Sequence, residues 1–119
     1  MIELDCPAEV RSAVVLALEA SGLEEGHLAV ELVTPERIRQ LNREHRGIDA
    51  PTDVLAFPLD GPTEVAGPRE IGDVVICPEH THDIEEAAVH GVLHLAGYDH
   101  ETDRGEMLAL QARILQGLR

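Results

Sequence analysis

The chain has 119 residues, 44% of them hydrophobic, which is enough for one domain with a single core, and we expect that domain to span residues 1–119. Its formal net charge is −14 and its nine basic residues are all arginines, which argues against a broad electrostatic surface for nucleic acid. No apolar run has the length of a membrane span, and the N-terminus does not begin like a signal peptide. We therefore expect a cytoplasmic protein without a membrane partner.

Hydrophobic spacing in the first half of the chain predicts strand, helix, strand and helix. These elements are expected over residues 2–5, 8–20, 27–33 and 35 to about 45 or 46. The first helix has apolar residues at helical spacing, whereas the second strand alternates apolar and polar side chains. Thr34 is expected to cap the second helix, with Pro35 in its first turn.

The second half of the chain contains two apolar strands followed by two amphipathic helices. We expect a strand within residues 51–58, a mobile loop over 60–69, a strand over 71–76 with a break at Gly72, and helices over 83–96 and from 103 onward. Alternating strands and helices, then a hairpin-like strand pair and two helices, predict an α+β fold. Its expected architecture is a single-layer, four-stranded mixed sheet packed with helices.

Three histidines in the second half are spaced as metal ligands, and a helix there is expected to carry the metal site. His90 and His94 lie four residues apart, on one face of the predicted helix and about 6 Å apart along its axis. Gly97 can end the helix and let the chain return with His100 as a third ligand. Three imidazoles with an open fourth position are typical of catalytic zinc. We predict that His90, His94 and His100 bind one Zn²⁺ ion per chain.

The residue after His90 bears on the reaction class. Zinc peptidases of the His-Glu-x-x-His type place their general base directly after the first histidine, where this chain has Gly91. The spacing of His90, His94, Gly97 and His100 still matches the extended peptidase pattern. The chain therefore has the metal ligands of that pattern and lacks its general base. Hydrolysis of a phosphodiester instead needs a cation for the phosphate, and arginine suits this through paired hydrogen bonds. Arg46 at a predicted helix end is the candidate.

Three parts of the chain resemble the YbeY family of bacterial endoribonucleases. They are His90–His100, the set Leu41–Asn42, Arg46–Gly47 and Pro51–Pro58, and Ile71–Cys77. Met107 in the last helix also fits. The resemblance covers about residues 26 to 116 in the same order. It implies a metal-dependent endoribonuclease that acts on single-stranded RNA, in maturation of the 3′ end of 16S rRNA and in ribosome quality control.

The resemblance also implies roles for individual residues and identifies candidate partners. By position, His90, His94 and His100 match the family's zinc ligands, and Arg46 matches its functionally important arginine. Arg46 is then the expected contact to the substrate phosphate, and Arg46 and His90 are the candidate catalytic residues. The implied partners are rRNA, the small ribosomal subunit and the Era GTPase.

The chain departs from the family pattern in three places. Ala56 replaces the usual serine, and His45 replaces the usual aromatic residue before Arg46. The segment between Cys77 and His90 is shorter than in common members by a helical turn or more. The first two differences concern details of substrate contact, and the third concerns surface that other members use for partners.

Several further residues have candidate roles near the metal. Asp99, beside His100, is a candidate to orient a ligand histidine or to move a proton, with a solvated loop carboxylate as the alternative. Asp73, on a buried strand, is a candidate to hold a backbone group or a ligand histidine, and a structural role is the first expectation for it. Thr52, Asp53 and Tyr98 are candidates to line a cleft that contains the metal site and Arg46. Capping after Pro51 explains Thr52 and Asp53 equally well. His80 and His82 are expected to be exposed.

Two other functions stay open from the sequence. One is a zinc metallopeptidase-like hydrolase that uses another carboxylate, such as Asp99, as its base. The other is a non-catalytic ribosome-assembly adaptor with structural zinc.

Overall fold

The computed structural model describes residues 2–58, 70–99 and 102–119, so the loop predicted for residues 60–69 lies outside the described residues. Its elements in chain order are β1 (Ile2–Asp5), α1 (Ala8–Ser21), β2 (Gly26–Leu32), α2 (Pro35–Arg46), β3 (Val54–Pro58), β4 (Glu70–Ile76), a 3-10 turn (Pro78–His80), α3 (Ile84–Leu95) and α4 (Glu106–Leu118). Among the described residues, no helix is long and apolar enough to cross a membrane.

The four strands form one mixed sheet in the order β1-β2-β4-β3. β1 with β2 and β2 with β4 pair in parallel, whereas β3 and β4 pair antiparallel, as the predicted hairpin-like pair requires. The predicted α+β fold with a four-stranded mixed sheet is therefore confirmed. The antiparallel pair places β3 at the edge of the sheet, next to the strand on which α3 packs.

Helices cover both faces of the sheet because successive strand residues point to opposite sides. Val74 belongs to the main core, which also contains the buried residues of α1, α3 and α4. Its neighbour Val75 belongs to a smaller cluster with Ile38 of α2 and Leu55 of β3. The arrangement holds α2 on one face and α3 on the other, with the β3 edge between them.

The helix that carries Arg46 has the ends that the sequence predicts. The Oγ1 of Thr34 accepts a hydrogen bond from the Arg37 amide at 3.2 Å, and Pro35 is the first residue of α2. Gly47 ends the helix with φ of 72°, a conformation that glycine adopts without a Cβ clash. Arg46 is therefore held at a fixed helix end.

The C-terminal helix begins later than predicted. The sequence pattern placed its start at residue 103, whereas α4 begins at Glu106. Asp103 accepts hydrogen bonds from the amides of Gly105 at 2.8 Å and Met107 at 2.9 Å, so it forms a turn before the helix. A short carboxylate that bonds nearby amides favours such a turn over helical continuation.

The predicted break at Gly72 is confirmed as an irregularity in β4. The pairing of β2 with β4 shifts register between His27 and Leu28, opposite Gly72. Gly72 has φ of 151°, and a Cβ there would lie 2.4 Å from the carbonyl oxygen of Phe57. Only glycine lets β3 approach this closely.

Candidate active site

A cleft with a volume of about 780 Å³ lies where the end of α2, strand β3 and the end of α3 meet. Among the described residues, its lining is His45, Arg46, Thr52, Asp53, Val54, Leu55, Ala56, Phe57, Pro58, His90, Gly91, His94, Gly97, Tyr98 and Asp99. The cleft thus brings together Arg46 and the first two predicted metal ligands, which are distant in the sequence.

The two histidines of α3 point their Nε2 atoms at a common place. The Nε2 atoms of His90 and His94 lie 3.1 Å apart, and the half-buried rings meet edge to face with centroids 4.7 Å apart. Two nitrogens that each lie about 2.0–2.1 Å from a tetrahedral zinc ion are about 3.3 Å from one another. The pair therefore fits two ligand positions of one metal ion.

The third predicted ligand, His100, lies outside the described residues. Within residues 2–58, 70–99 and 102–119, no group of three or more His, Cys, Asp or Glu side chains is placed to hold a metal ion. The described chain therefore brings two imidazoles together, and the assignment of His90, His94 and His100 as metal ligands stays a prediction.

Sequence reasoning missed a contact to His90 from the last helix. The Nδ1 of His90 lies 2.8 Å from the Oε1 of Gln111 in α4. Gln111 is 21 residues from His90 and belongs to no ligand-spacing pattern, so only the packing of α4 on α3 brings the two together.

Gly91 contacts the sheet where the peptidase pattern has its base. A Cβ at residue 91 would lie 2.6 Å from the Cγ1 of Val74 and 3.4 Å from the Cγ2 of Val54. A side chain here would enter the packing between α3 and the sheet rather than point freely into the cleft. The close packing at Gly91 thus leaves no room for a glutamate at residue 91.

Arg46 is exposed at the end of α2 and lines the cleft. The preceding residue, His45, packs its ring on that of Phe57 with centroids 4.7 Å apart. His45 therefore places a flat ring in the cleft. Ala56 also lines the cleft and offers no hydroxyl there.

A buried asparagine holds the turn between α2 and β3. Asn42 is 2% exposed, and its Nδ2 donates to the carbonyl oxygen of Ala50 at 2.9 Å. Its backbone carbonyl accepts from the Ile48 amide at 3.4 Å. The Oδ1 atom of Asn42 is buried and has no hydrogen-bond partner among the described residues. These contacts fix the path of the chain just after Arg46.

Of the two carboxylates that are candidates to support a ligand histidine, Asp99 lines the cleft and Asp73 is not among its described lining residues. Asp99 is exposed and lines the cleft beside Tyr98. Asp73 is half-buried on β4 opposite Phe57, on the sheet face that carries Val75, and is not among the described lining residues. The strand alternation directs it away from the face on which α3 packs.

The remaining polar candidates have local explanations. Asp53 accepts hydrogen bonds from the amide of Val54 at 2.8 Å and from the hydroxyl of Thr52 at 3.2 Å, so both form a turn at the cleft wall. His80 and His82 are exposed, as expected, and are not among the described residues of the cleft.

The arginines of this acidic chain are concentrated on α2, which carries Arg37, Arg39, Arg43 and Arg46. Residues 39, 43 and 46 share one face of the helix by their spacing and are exposed. Arg39 donates two hydrogen bonds to the Asp49 carboxylate, at 2.8 and 3.1 Å, and the side-chain bond from Arg39 lowers the pKa of Asp49. An arginine stripe, defined as Arg39, Arg43 and Arg46, therefore leads to the cleft.

Comparison with known proteins identifies the family of this fold and cleft. The family model described as Endoribonuclease YbeY matches residues 3–119. A similar protein of that name from Rubrobacter xylanophilus is 45% identical over 97 residues, covering 79% of this chain and 69% of the relative. Another from Salinispora tropica is 41% identical over 143 aligned positions, covering 94% of this chain and 90% of the relative.

The fold comparison agrees with the sequence comparison. A protein from Thermotoga maritima, known from a solution structure, superposes with a TM-score of 0.56 at 30% identity, covering 98% of this chain and 87% of that one. The chain belongs to the endoribonuclease YbeY family, and the resemblance stated from its motifs is confirmed.

Proposed function

We propose that the protein is a zinc-dependent endoribonuclease that cleaves single-stranded RNA. The observation that carries the proposal is the shared cleft, in which Arg46 of α2 faces the same space as His90 and His94 of α3. Family membership supports the reaction class, since the relatives are named endoribonucleases. One Zn²⁺ ion per chain is assigned to His90, His94 and His100.

The chain's own residues have distinct tasks in this proposal. Bound at the three histidines, zinc would supply Lewis-acid chemistry for hydrolysis of a phosphodiester. Arg46 binds the scissile phosphate through paired hydrogen bonds and offsets the negative charge that develops during cleavage. His90 and His94 hold their Nε2 atoms toward the cleft.

The arginine stripe explains how an acidic chain binds a polyanion. The net charge of −14 opposes RNA binding over most of the surface. The stripe of Arg39, Arg43 and Arg46 offers positive charge along one path to the cleft, although Asp49 offsets Arg39. We expect weak, salt-sensitive binding to free RNA because only a few phosphates are contacted.

The peptidase alternative has less support. Its usual base would stand at residue 91, where the packing of Gly91 against Val74 leaves no room for a side chain. Asp99, one of two described carboxylates of the cleft together with Asp53, is the candidate to replace it. The adaptor alternative predicts that Arg46 has no effect on any reaction rate.

The cellular role in this proposal follows from the family resemblance. It comprises maturation of the 3′ end of 16S rRNA and ribosome quality control in the cytoplasm. The small ribosomal subunit and the Era GTPase are the proposed partners, and they would supply the targeting that weak RNA binding does not.

The test is cleavage of a labelled single-stranded RNA by zinc-loaded protein, compared with His94→Ala and Arg46→Ala purified in the same way. Arg37→Ala is the matched control, because Arg37 is an exposed arginine of the same helix and is not among the described residues of the cleft. We expect activity in the wild type and the control only.

The alternatives predict different results in the same assay. Equal activity in all four proteins would indicate a contaminating nuclease and contradict the proposal. Cleavage of an unstructured peptide, abolished by chelation, would support the peptidase. Absence of both activities would favour the adaptor.

A further inference from the structure

Gln111 makes a hydrogen bond that determines which nitrogen of His90 is available. Its Oε1 lies 2.8 Å from His90 Nδ1, and an amide oxygen only accepts hydrogen bonds. With this oxygen facing it, Nδ1 carries the hydrogen, and in the neutral imidazole Nε2 then keeps its lone pair. That Nε2 is the atom 3.1 Å from Nε2 of His94.

The position of Gln111 is set by the core. Met107 and Ile114, four residues before and three residues after Gln111, are both buried in the main core. Residues at these spacings lie on one face of a helix, so the buried face of α4 presents Gln111 to α3. Gln111 is itself half-buried, which limits competition from water for the hydrogen bond.

We propose that Gln111 is a positioning residue, which holds His90 in the tautomer and ring orientation that let its Nε2 bind the metal ion. The inference rests on the proposed metal site. Histidine ligands in metal sites commonly donate their second ring N–H to an acceptor, and loss of that acceptor lowers metal affinity by about 10–100-fold.

Two substitutions of Gln111 separate the effect of its hydrogen-bond acceptor from the effect of side-chain size, and a third substitution elsewhere is the control. Gln111→Met keeps the length and the helix propensity and removes the acceptor. Gln111→Glu keeps an acceptor oxygen at the same place. Gln116→Met is the matched control, because Gln116 is an exposed glutamine of the same helix.

The experiment is calorimetric titration of metal-free protein with Zn²⁺, together with ¹H–¹⁵N spectra of the imidazoles. We expect Gln111→Met to weaken zinc binding by about 10–100-fold, while Gln111→Glu binds at least as tightly as wild type and Gln116→Met is unchanged. The spectra should show hydrogen on Nδ1 of His90 in the wild type and a tautomer mixture in Gln111→Met. A purely structural role for Gln111 would not shift the tautomer.

The outcomes distinguish this inference from the proposed function. Zinc affinity that is equal in wild type and Gln111→Met, with His94→Ala defective, overturns the role of Gln111 and leaves the metal site in place. Absence of zinc binding by the wild type overturns both. If Gln111→Met does not fold, Gln111→Glu decides, because tenfold weaker binding in that variant contradicts the inference.

Discussion

Gly91 of α3 and Val74 of β4 are in closer contact than any other residue type at position 91 would allow. A Cβ on Gly91 would lie 2.6 Å from one methyl group of Val74 and 3.2 Å from the other. This contact seats α3 directly on the sheet. Since His90 precedes Gly91, it also sets the height of the histidine pair above the β3 edge.

Gly91→Ala should therefore destabilise the protein despite the higher helix propensity of alanine. Overpacking costs about 1–3 kcal/mol, and the propensity gain returns up to about 1 kcal/mol. Urea unfolding measures the difference in the free energy of unfolding between Gly91→Ala and the wild type. The control is Gly117→Ala in α4, where a Cβ meets no atom within 4 Å, and this variant should be neutral or more stable. The Gly91→Ala, Val74→Ala double variant lacks the two Val74 methyl groups that the new Cβ would meet. Its change in the free energy of unfolding should therefore differ from the sum of the changes in the two single variants. A change equal to that sum would contradict the contact.

Arg46→Ala should lower the rate of RNA cleavage by about 100-fold, as loss of a donor to a developing negative charge does in other enzymes. Its zinc content and unfolding midpoint should stay unchanged because Arg46 is exposed. Arg46→Lys should recover part of the rate, since lysine keeps the charge and loses the paired hydrogen bonds. Single-turnover kinetics provides the measurement. A loss of the same size in Arg37→Ala would show that general charge, not this residue, matters.

Asn42→Ala should destabilise the protein by about 1–3 kcal/mol, because the carbonyl oxygen of Ala50 loses its hydrogen bond from Nδ2. The turn after Arg46 should then become less ordered, so cleavage should fall more than zinc binding does. Thermal unfolding and RNA cleavage are measured on the same samples. Gln40→Ala, at an exposed position of α2, is the control. Full activity in a destabilised Asn42→Ala protein would show that the order of this turn does not affect RNA cleavage.

Asp83 should contribute stability that disappears in acid. Burial opposes ionisation of Asp83, but a hydrogen bond from Arg119 and bonds from the amides of Glu85 and Glu86, both at 3.1 Å, outweigh it and lower the pKa of Asp83. A lowered folded-state pKa gives stability that is present above the ordinary value of 3.8 and is lost as pH falls through the folded value.

Asp83→Asn tests this because asparagine still caps α3 but carries no charge. The wild type should be more stable than the variant at neutral pH, and the difference should shrink once pH falls below about 4. Chemical unfolding across this range measures it, with the exposed Glu79→Gln as control. A difference that is constant down to pH 2 would contradict the assignment.

Sequence patterns predicted most of this fold because the decisive signals are local. Thr34 and Gly47 set the ends of α2, and the four-residue spacing of His90 and His94 sets their common face. Contacts that depend on how elements pack have no such signal. The bonds from Asn42 to Ala50 and from His90 to Gln111 arise from tertiary structure.

Asp73 is another residue whose surroundings depend on how the elements pack and could not be predicted from the sequence. Its carboxylate on a buried strand suggested a partner nearby, either a backbone group or a ligand histidine. The sequence did not show which sheet face α3 covers, and that face determines which β4 side chains point toward the histidines. The structure places Asp73 on the face that carries Val75.

Zinc-dependent cleavage is tested by reconstitution of metal-free protein with increasing Zn²⁺ while cleavage of a labelled single-stranded RNA is followed. Activity should rise in proportion to zinc, reach its plateau at one ion per chain, and not return in His94→Ala. Cleavage by the metal-free wild type at the full rate, or equal recovery in His94→Ala, would show that the histidine-bound zinc is not required for the reaction.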